Sequence, residues 1–319
     1  AYNEEQNING ILECIKNQDY DHNNMEVVLV DGASTDNTRA LMCEFALDNK
    51  DEFRRVVVLD NPKKTLPSGW NVALREYKGD AIIKVDAHAV IPEDFVSKNV
   101  RVLETGEYIC GGQRPNIIDK PTPFKETLLL AESSMFGSSI ASYRNNPGKT
   151  YVKSLFHAAY RREVFEKVGF FNEELVRTED NEIHYRMRKA GYKLCFDPDI
   201  ISYQYTRSSL KAMLKQKYAN GYWIGKTSKV CPKCLSIYHF VPFAFVSAII
   251  ASGSVIGATG LAECIKKRHN HTLGKGISAL RKVTVVLTTV MWVLYALMAS
   301  GMAAVSAFKA EDKRNITNA

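Results

Sequence analysis

Between residues 26 and 86, short apolar runs alternate with stretches of helical periodicity. The runs at 27–30, 56–59 and 81–85 are rich in β-branched residues, and helical patterns at 35–47 and 67–77 lie between them. Strands separated by helical crossovers predict a parallel sheet, and continuous apolar strands such as 27–30 suit a sheet covered on both faces. The expectation is an α/β layer of the Rossmann-like kind. Pro92 starts a further helix that runs to about Glu104. Beyond it, Gly111, Gly112 and a turn-rich stretch at 143–148 mark connections. After Thr178 a helix resumes with Ile183, Met187 and Ala190 on one face and Gly191 as its stop.

Near residue 236 the pattern changes. Residues 236–262 and 283–308 carry no Asp, Glu, Lys or Arg and are long enough to cross a hydrocarbon core of roughly 30 Å. Two membrane helices are expected, as the main part of a membrane-associated region at 226–319 that follows a catalytic domain at 1–225. Buried helices of this length usually show a polar stripe, which neither segment has. The linker between them holds Lys266, Lys267, Arg268, Lys275, Arg281 and Lys282, an arrangement at odds with a cytoplasmic catalytic domain if both segments span. The sequence leaves the topology of the second region open. The opening residues, Ala1 to Glu5, read as the end of a strand whose beginning is missing.

The net charge of +7 suits an anionic partner: nucleotide phosphates, acidic headgroups or nucleic acid. The cations cluster beside the apolar segments, which favours lipid headgroups over nucleic acid. Seven cysteines, odd in number and mostly within apolar runs, fit reduced thiols in the cytosol. Cys231 and Cys234 have ligand spacing, but no second pair follows to complete a zinc site.

Polar residues gather where the apolar runs end, at the carboxyl edge on which open α/β sheets bind ligands. Tyr2, Glu4, Asp31, Ser34 and Asp36 are candidates for a nucleotide pocket, since carboxylates there can accept from base N–H groups and ribose hydroxyls. A turn at Asp31-Gly32 and a helix cap at Ser34 to Asp36 explain the same residues equally well. Asp86 and His88, one residue apart, are candidate ligands for Mg²⁺ or Mn²⁺ held against a diphosphate. Glu179 and Asp180 open a helix, where the dipole favours carboxylates, and Asp180 is a candidate general base. Arg207, Gln216 and Trp223 lie in a basic, aromatic stretch that suits either diphosphate and sugar contacts or an amphipathic approach to a membrane.

In this order, the motifs Tyr2-Asn3-Glu4-Glu5, Val30 to Asp36, Pro67-Ser68-Gly69-Trp70-Asn71, Val85 to Ala89, Tyr160 to Phe165 and Thr178 to Glu182 resemble glycosyltransferase family 2. The resemblance is in particular to bacterial membrane enzymes of succinoglycan and exopolysaccharide type. The resemblance spans residues 1 to about 225. It implies a GT-A fold, a UDP- or GDP-sugar donor, usually a divalent cation, and inversion at the anomeric carbon. It also implies donor-nucleotide roles for Glu4, Asp31 and Asp36, a metal and diphosphate role for Asp86, and Asp180 as catalytic base. His88 stands where the commoner motif ends in aspartate. Gln216 is followed by Lys217, Tyr218 and Ala219, with Trp223 arriving late, a departure from the processive Gln-x-x-Arg-Trp motif that favours one sugar per cycle.

The expected protein is a membrane-held transferase at a bacterial inner membrane, its catalytic domain cytoplasmic and its acceptor a lipid-linked or other saccharide. A sugar-nucleotide nucleotidyltransferase and a non-catalytic scaffold of the same fold are the competing readings. The first ordinarily carries a glycine-rich basic loop near its start, and the second has no need of Asp86 and Asp180.

Overall fold

The computed structural model describes residues 1–134, 148–268 and 275–317. The expected turn at 143–148 falls almost wholly outside the described residues. The chain forms two compact units, Ala1–Leu235 and Ser236–Ala319.

The first unit opens with α1 (Ile8–Lys16), which buries Ile8, Ile11 and Leu12 at the spacing of one helical face. There follow β1 (Glu26–Asp31), α2 (Thr38–Asp48), β2 (Arg55–Asp60), α3 (Leu66–Glu76) and β3 (Ala81–Ile83). β1 and β2 pair in parallel, from Glu26 beside Arg55 to Asp31 beside Asp60, with α2 as the crossover that a parallel pair requires. Arg55 bridges Glu26 and Glu76 and so ties the start of both strands to the end of α3.

Next come β4 (Ala89–Val90), α4 (Phe95–Glu104), β5 (Ile109–Gln113), β6 (Asn116–Ile117), α5 (Pro123–Ser133), β7 (Thr150–Val152), β8 (Ala159–Arg161), α6 (Arg162–Val168), α7 (Glu179–Lys189), β9 (Leu194–Ile201), β10 (Tyr203–Tyr205) and α8 (Leu210–Val230). The strand order β3-β8-β5-β9-β7 is mixed: β5 and β9 run parallel, while β3–β8, β5–β8 and β7–β9 are antiparallel. The alternation at 26–86 describes only the parallel beginning. The strands after residue 105 are two to eight residues long, too short for period to fix their direction. A second small sheet has the order β4-β10-β6.

One core joins α1, β1 and α4 through Ile8, Leu12, Leu29 and Phe95, and another surrounds Tyr160, Phe165, Ile183 and Met187. Thr178 and Thr227 share a buried hydrogen bond, and Arg177 Nη1 donates to Asn220 Oδ1 at 3.3 Å. These bonds fasten α8 to the start of α7, which is why the first unit runs past the expected boundary at 225.

The second unit holds α9 (Val241–Arg268) and α10 (Lys275–Thr317), which pack on each other. Residues 237–266 and 275–305 are long and apolar enough to cross a membrane. An ion pair between Glu263 and Arg281 joins the two helices. The second span therefore begins earlier than the uncharged stretch at 283–308, because the helix includes Lys275, Arg281 and Lys282.

Candidate active site

The acidic edge is built on three turns. At the first, the loop after β1 is latched to residues 3–5. Asn3 N donates to Ser34 Oγ at 3.0 Å, Thr35 N to Asn3 Oδ1 at 2.8 Å, and Glu5 N to Asp36 Oδ2 at 3.2 Å. Asp36 Oδ1 also accepts from the amide and hydroxyl of Thr38, a bond that lowers the Asp36 pKa. Asp31 is buried and accepts from Ser34 N at 3.1 Å. Asn3 and Ala33 hold positive φ, 53° and 58°, a backbone that asparagine adopts readily and alanine only at a cost of about 1–3 kcal/mol. Ser34 and Asp36 thus serve the turn, and Asp31 fixes its base. Tyr2 is exposed, with the Lys64 ammonium over its ring, and the backbone of Ala1 bonds both Val30 and Gly32.

At the second turn, past β3, stand Asp86 and His88. His88 Nδ1 lies 3.3 Å from Glu4 Oε1. That contact raises the His88 pKa against the opposing effect of burial. It also helps to lower Glu4, whose burial acts the other way. The charge of exposed Arg207 reaches His88 as well. Asp86 N donates to His157 Nε2 at 3.4 Å, Asp86 Oδ2 lies 3.7 Å from the same nitrogen, and His157 Nδ1 shares a 2.9 Å hydrogen bond with Ser202. Burial favours the neutral forms of both groups. It prevails at His157, whose pKa is lowered, whereas His157 and Lys84 together hold the Asp86 carboxyl well below the usual carboxylate range.

The third turn is the start of α7. Glu179 is 3% exposed, and burial followed by the charge of Asp180 pushes its pKa up to about 8. The Asp180 side chain keeps 17% of its surface open. Between the second and third turns sits Lys84, its ammonium 2.6 Å from Asp180 Oδ1 and 3.7 Å from Glu179 Oε1. Its side chain is 6% exposed and faces the rings of Trp70 and Phe171 at 5.0 Å and 5.6 Å. Burial opposes the charge, but Asp180, Glu179 and Asp86 outweigh it and keep the ammonium protonated.

Tertiary structure links these candidates in two chains of contacts, Glu4 with His88 and Lys84 with Glu179 and Asp180, with Asp86 close to His157. Gln216 and Trp223 are half-buried on α8, the helix bonded to Thr178 two residues before Asp180. Sequence reading missed Lys84, His157 and Ser202. A lysine inside an otherwise apolar strand, two residues before Asp86, was the available signal for the first. His157 and Ser202 lie in weakly patterned stretches and had none. Trp70 and Asn71 belonged to a quoted motif without a role: Asn71 Nδ2 donates to Phe171 O at 3.0 Å and Asn71 Oδ1 accepts from Phe171 N at 2.9 Å, which fixes the ring that covers Lys84.

Among the described residues, no group of three or more His, Cys, Asp or Glu side chains is placed to hold a metal ion. The donors present nonetheless fit a hard cation bound partly by substrate: an ionised carboxylate, Asp86, and an accessible imidazole, His88, leave the other positions to diphosphate oxygens and water. Cys231 and Cys234 flank a short helical turn, and the pair takes no part in such a group.

The fold is that of the GT-A class of glycosyltransferases. The chain belongs to glycosyl transferase family 2, whose model matches residues 1–169. It is 30% identical over 203 residues to the succinoglycan biosynthesis protein ExoA of Rhizobium meliloti, a match covering 62% of this chain and 59% of that protein. Over 258 residues it is 27% identical to the dolichyl N-acetyl-alpha-D-glucosaminyl phosphate 3-beta-D-2,3-diacetamido-2,3-dideoxy-beta-D-glucuronosyltransferase of Methanococcus voltae, covering 79% of this chain and 78% of that one. Among solved structures, the mannosyltransferase PcManGT of Pyrobaculum calidifontis, in complex with GDP-Man and Mn²⁺, superposes with a TM-score of 0.54 at 20% identity. That match covers 90% of this chain and 83% of the mannosyltransferase.

Proposed function

We propose that the protein transfers one sugar per cycle, with inversion, from a UDP- or GDP-sugar to a lipid-linked saccharide acceptor at the membrane. The observation that carries this reading is Asp180, a carboxylate open to the edge yet held by Lys84 beside Asp86. An inverting displacement needs a base on the acceptor side and an anion-stabilising group on the leaving side. Asp180 takes the proton of the acceptor hydroxyl as its oxygen attacks the anomeric carbon, and the nucleoside diphosphate departs from the opposite face. Lys84 fixes the base, and Arg207 supports the departing diphosphate. Tyr2, Glu4, Asp31, Ser34 and Asp36 form the donor-nucleotide pocket, while Gln216 and Trp223 serve the acceptor side.

Asp86 and His88 would hold a divalent cation, which would supply positive charge against the leaving diphosphate. The Mn²⁺ seen with GDP-Man in the mannosyltransferase agrees with such a site. The two apolar C-terminal helices support attachment to a membrane; in the proposed arrangement this is a bacterial inner membrane with the catalytic unit on its cytoplasmic side.

The test is nucleoside diphosphate release by the full-length protein in detergent, with UDP- and GDP-sugars and Mn²⁺ or Mg²⁺. Asp180→Asn should lower release about 10²–10⁴-fold while nucleotide binding persists. Unchanged release would refute the assignment of the base, and nucleotide binding with no turnover in either form would point to a scaffold.

A further inference from the structure

α8 has two different faces. Thr227 and Asn220 lie on the inner one, bonded to Thr178 and Arg177, and Met213 is half-buried on the same side. On the opposite side, Leu210, Leu214, Tyr218 and Tyr222 recur every fourth residue and drift only about 40° per step, so they form one stripe. All four are exposed, Tyr218 at 78%. Lys211, Lys215, Lys226 and Lys229 border the stripe, each exposed and none in an ion pair among the described residues.

The charge around this helix is one-sided. Residues 200–235 contain seven lysines and arginines and no aspartate or glutamate. An apolar and aromatic stripe edged by lysines is the pattern of a helix lying in a lipid headgroup layer, rings and stems at the acyl boundary and ammonium groups at the phosphates. A soluble protein that left these four side chains in water would gain nothing from their spacing. Geometry also supplies the surface: Val230 and Ile237, where the first candidate span begins, are seven peptide steps apart, so at most about 25 Å separates them.

We propose that the outer face of α8 docks flat on an anionic membrane surface and thereby sets the catalytic edge at the headgroup layer. The inner face of the same helix bonds to Thr178, two residues before Asp180, so the base stands roughly one helix diameter, about 10 Å, from that layer. An acceptor hydroxyl carried on a short headgroup reaches it without leaving the membrane. The inference rests on the reading that residues 237–305 embed the chain in a bilayer, and it deepens the proposed lipid-linked acceptor.

The experiment uses the full chain in nanodiscs of phosphatidylcholine with phosphatidylglycerol, carrying an environment-sensitive fluorescent amino acid at position 218 or, as a control, at exposed position 47. Carbonate extraction of the same protein from membranes measures embedding separately. Expected are resistance to carbonate, a blue shift and quenching by headgroup-labelled lipid at position 218, and neither at 47. Replacing phosphatidylglycerol with phosphatidylcholine, or combining Lys211→Gln, Lys215→Gln and Lys229→Gln, should weaken the quenching. Carbonate resistance with a water-exposed probe at 218 would overturn the docking and leave the membrane reading intact, whereas release by carbonate would overturn both. A blue shift that persists without lipid quenching and grows with protein concentration would assign the stripe to a second copy and also overturn the proposal.

Discussion

The ammonium of Lys84 lies 2.6 Å from a carboxylate oxygen of Asp180, a contact made across 96 residues of chain. Lys84 follows β3 and lies against Trp70 and Phe171, with the charges of Asp180, Glu179 and Asp86 acting on it. Removing the charge leaves buried Glu179 and part-exposed Asp180 side by side without their shared cation. Lys84→Met should destabilise the fold by about 3–5 kcal/mol, the cost of orphaning a buried charge partner. Lys84→Arg should retain more stability than Lys84→Met but lose turnover, because a planar guanidinium cannot replace a compact ammonium under two rings. Chemical denaturation and nucleoside diphosphate release on both variants check this.

Glu179 gives the fold a pH dependence. Its pKa is raised from 4.5 to about 8, so the folded state binds the proton more tightly than the unfolded chain does. The stability it contributes is fully present below about 4.5 and is lost as pH rises toward and through about 8. Glu179→Gln, which mimics the protonated form, should flatten the melting temperature across that window. A wild-type melting temperature that rises over the same window, with no change in slope in the variant, would contradict the assignment.

His157 acts on the edge through Asp86. It is buried, shares a hydrogen bond with Ser202 and accepts from the Asp86 amide, so its removal frees the aspartate to turn. His157→Ala should weaken activity or metal affinity about 10–100-fold, the usual cost of losing a group that orients a ligand. Titration of Mn²⁺ in the presence of nucleotide, followed by release kinetics, separates the two effects.

Gly112 tests the fold where β5 meets β9. A Cβ there would sit 2.0 Å from Ile200 O and 2.4 Å from Asp197 O, both backbone atoms. The register shifts at this point, between Gly111 and Gln113, so the strands approach where β9 bends through Pro198. Gly112→Ala should cost at least about 1–3 kcal/mol, since backbone cannot step aside as a side chain can. A denaturation midpoint equal to that of the wild type would show that the strands are further apart than described.

The amino-acid sequence determined much of this protein by local rules. Apolar runs broken by helical periods specify the β1–α2–β2 beginning, because a parallel pair needs a crossover and both faces covered. Charge-free segments of membrane length specify α9 and α10 by hydrophobicity alone. Glu4, Asp86, His88 and Asp180 could be singled out as candidates because polar residues at strand ends and helix starts leave motifs in a few consecutive residues. Tertiary structure alone decided that β3, β8, β5, β9 and β7 form one mixed sheet, since three- to eight-residue strands carry too little periodicity to state a partner. It also decided that Lys84 is a cation held among carboxylates and that His157 fixes Asp86. A residue's neighbour 71 or 96 positions away leaves no mark in local pattern, and only the closing of the core brings the two together.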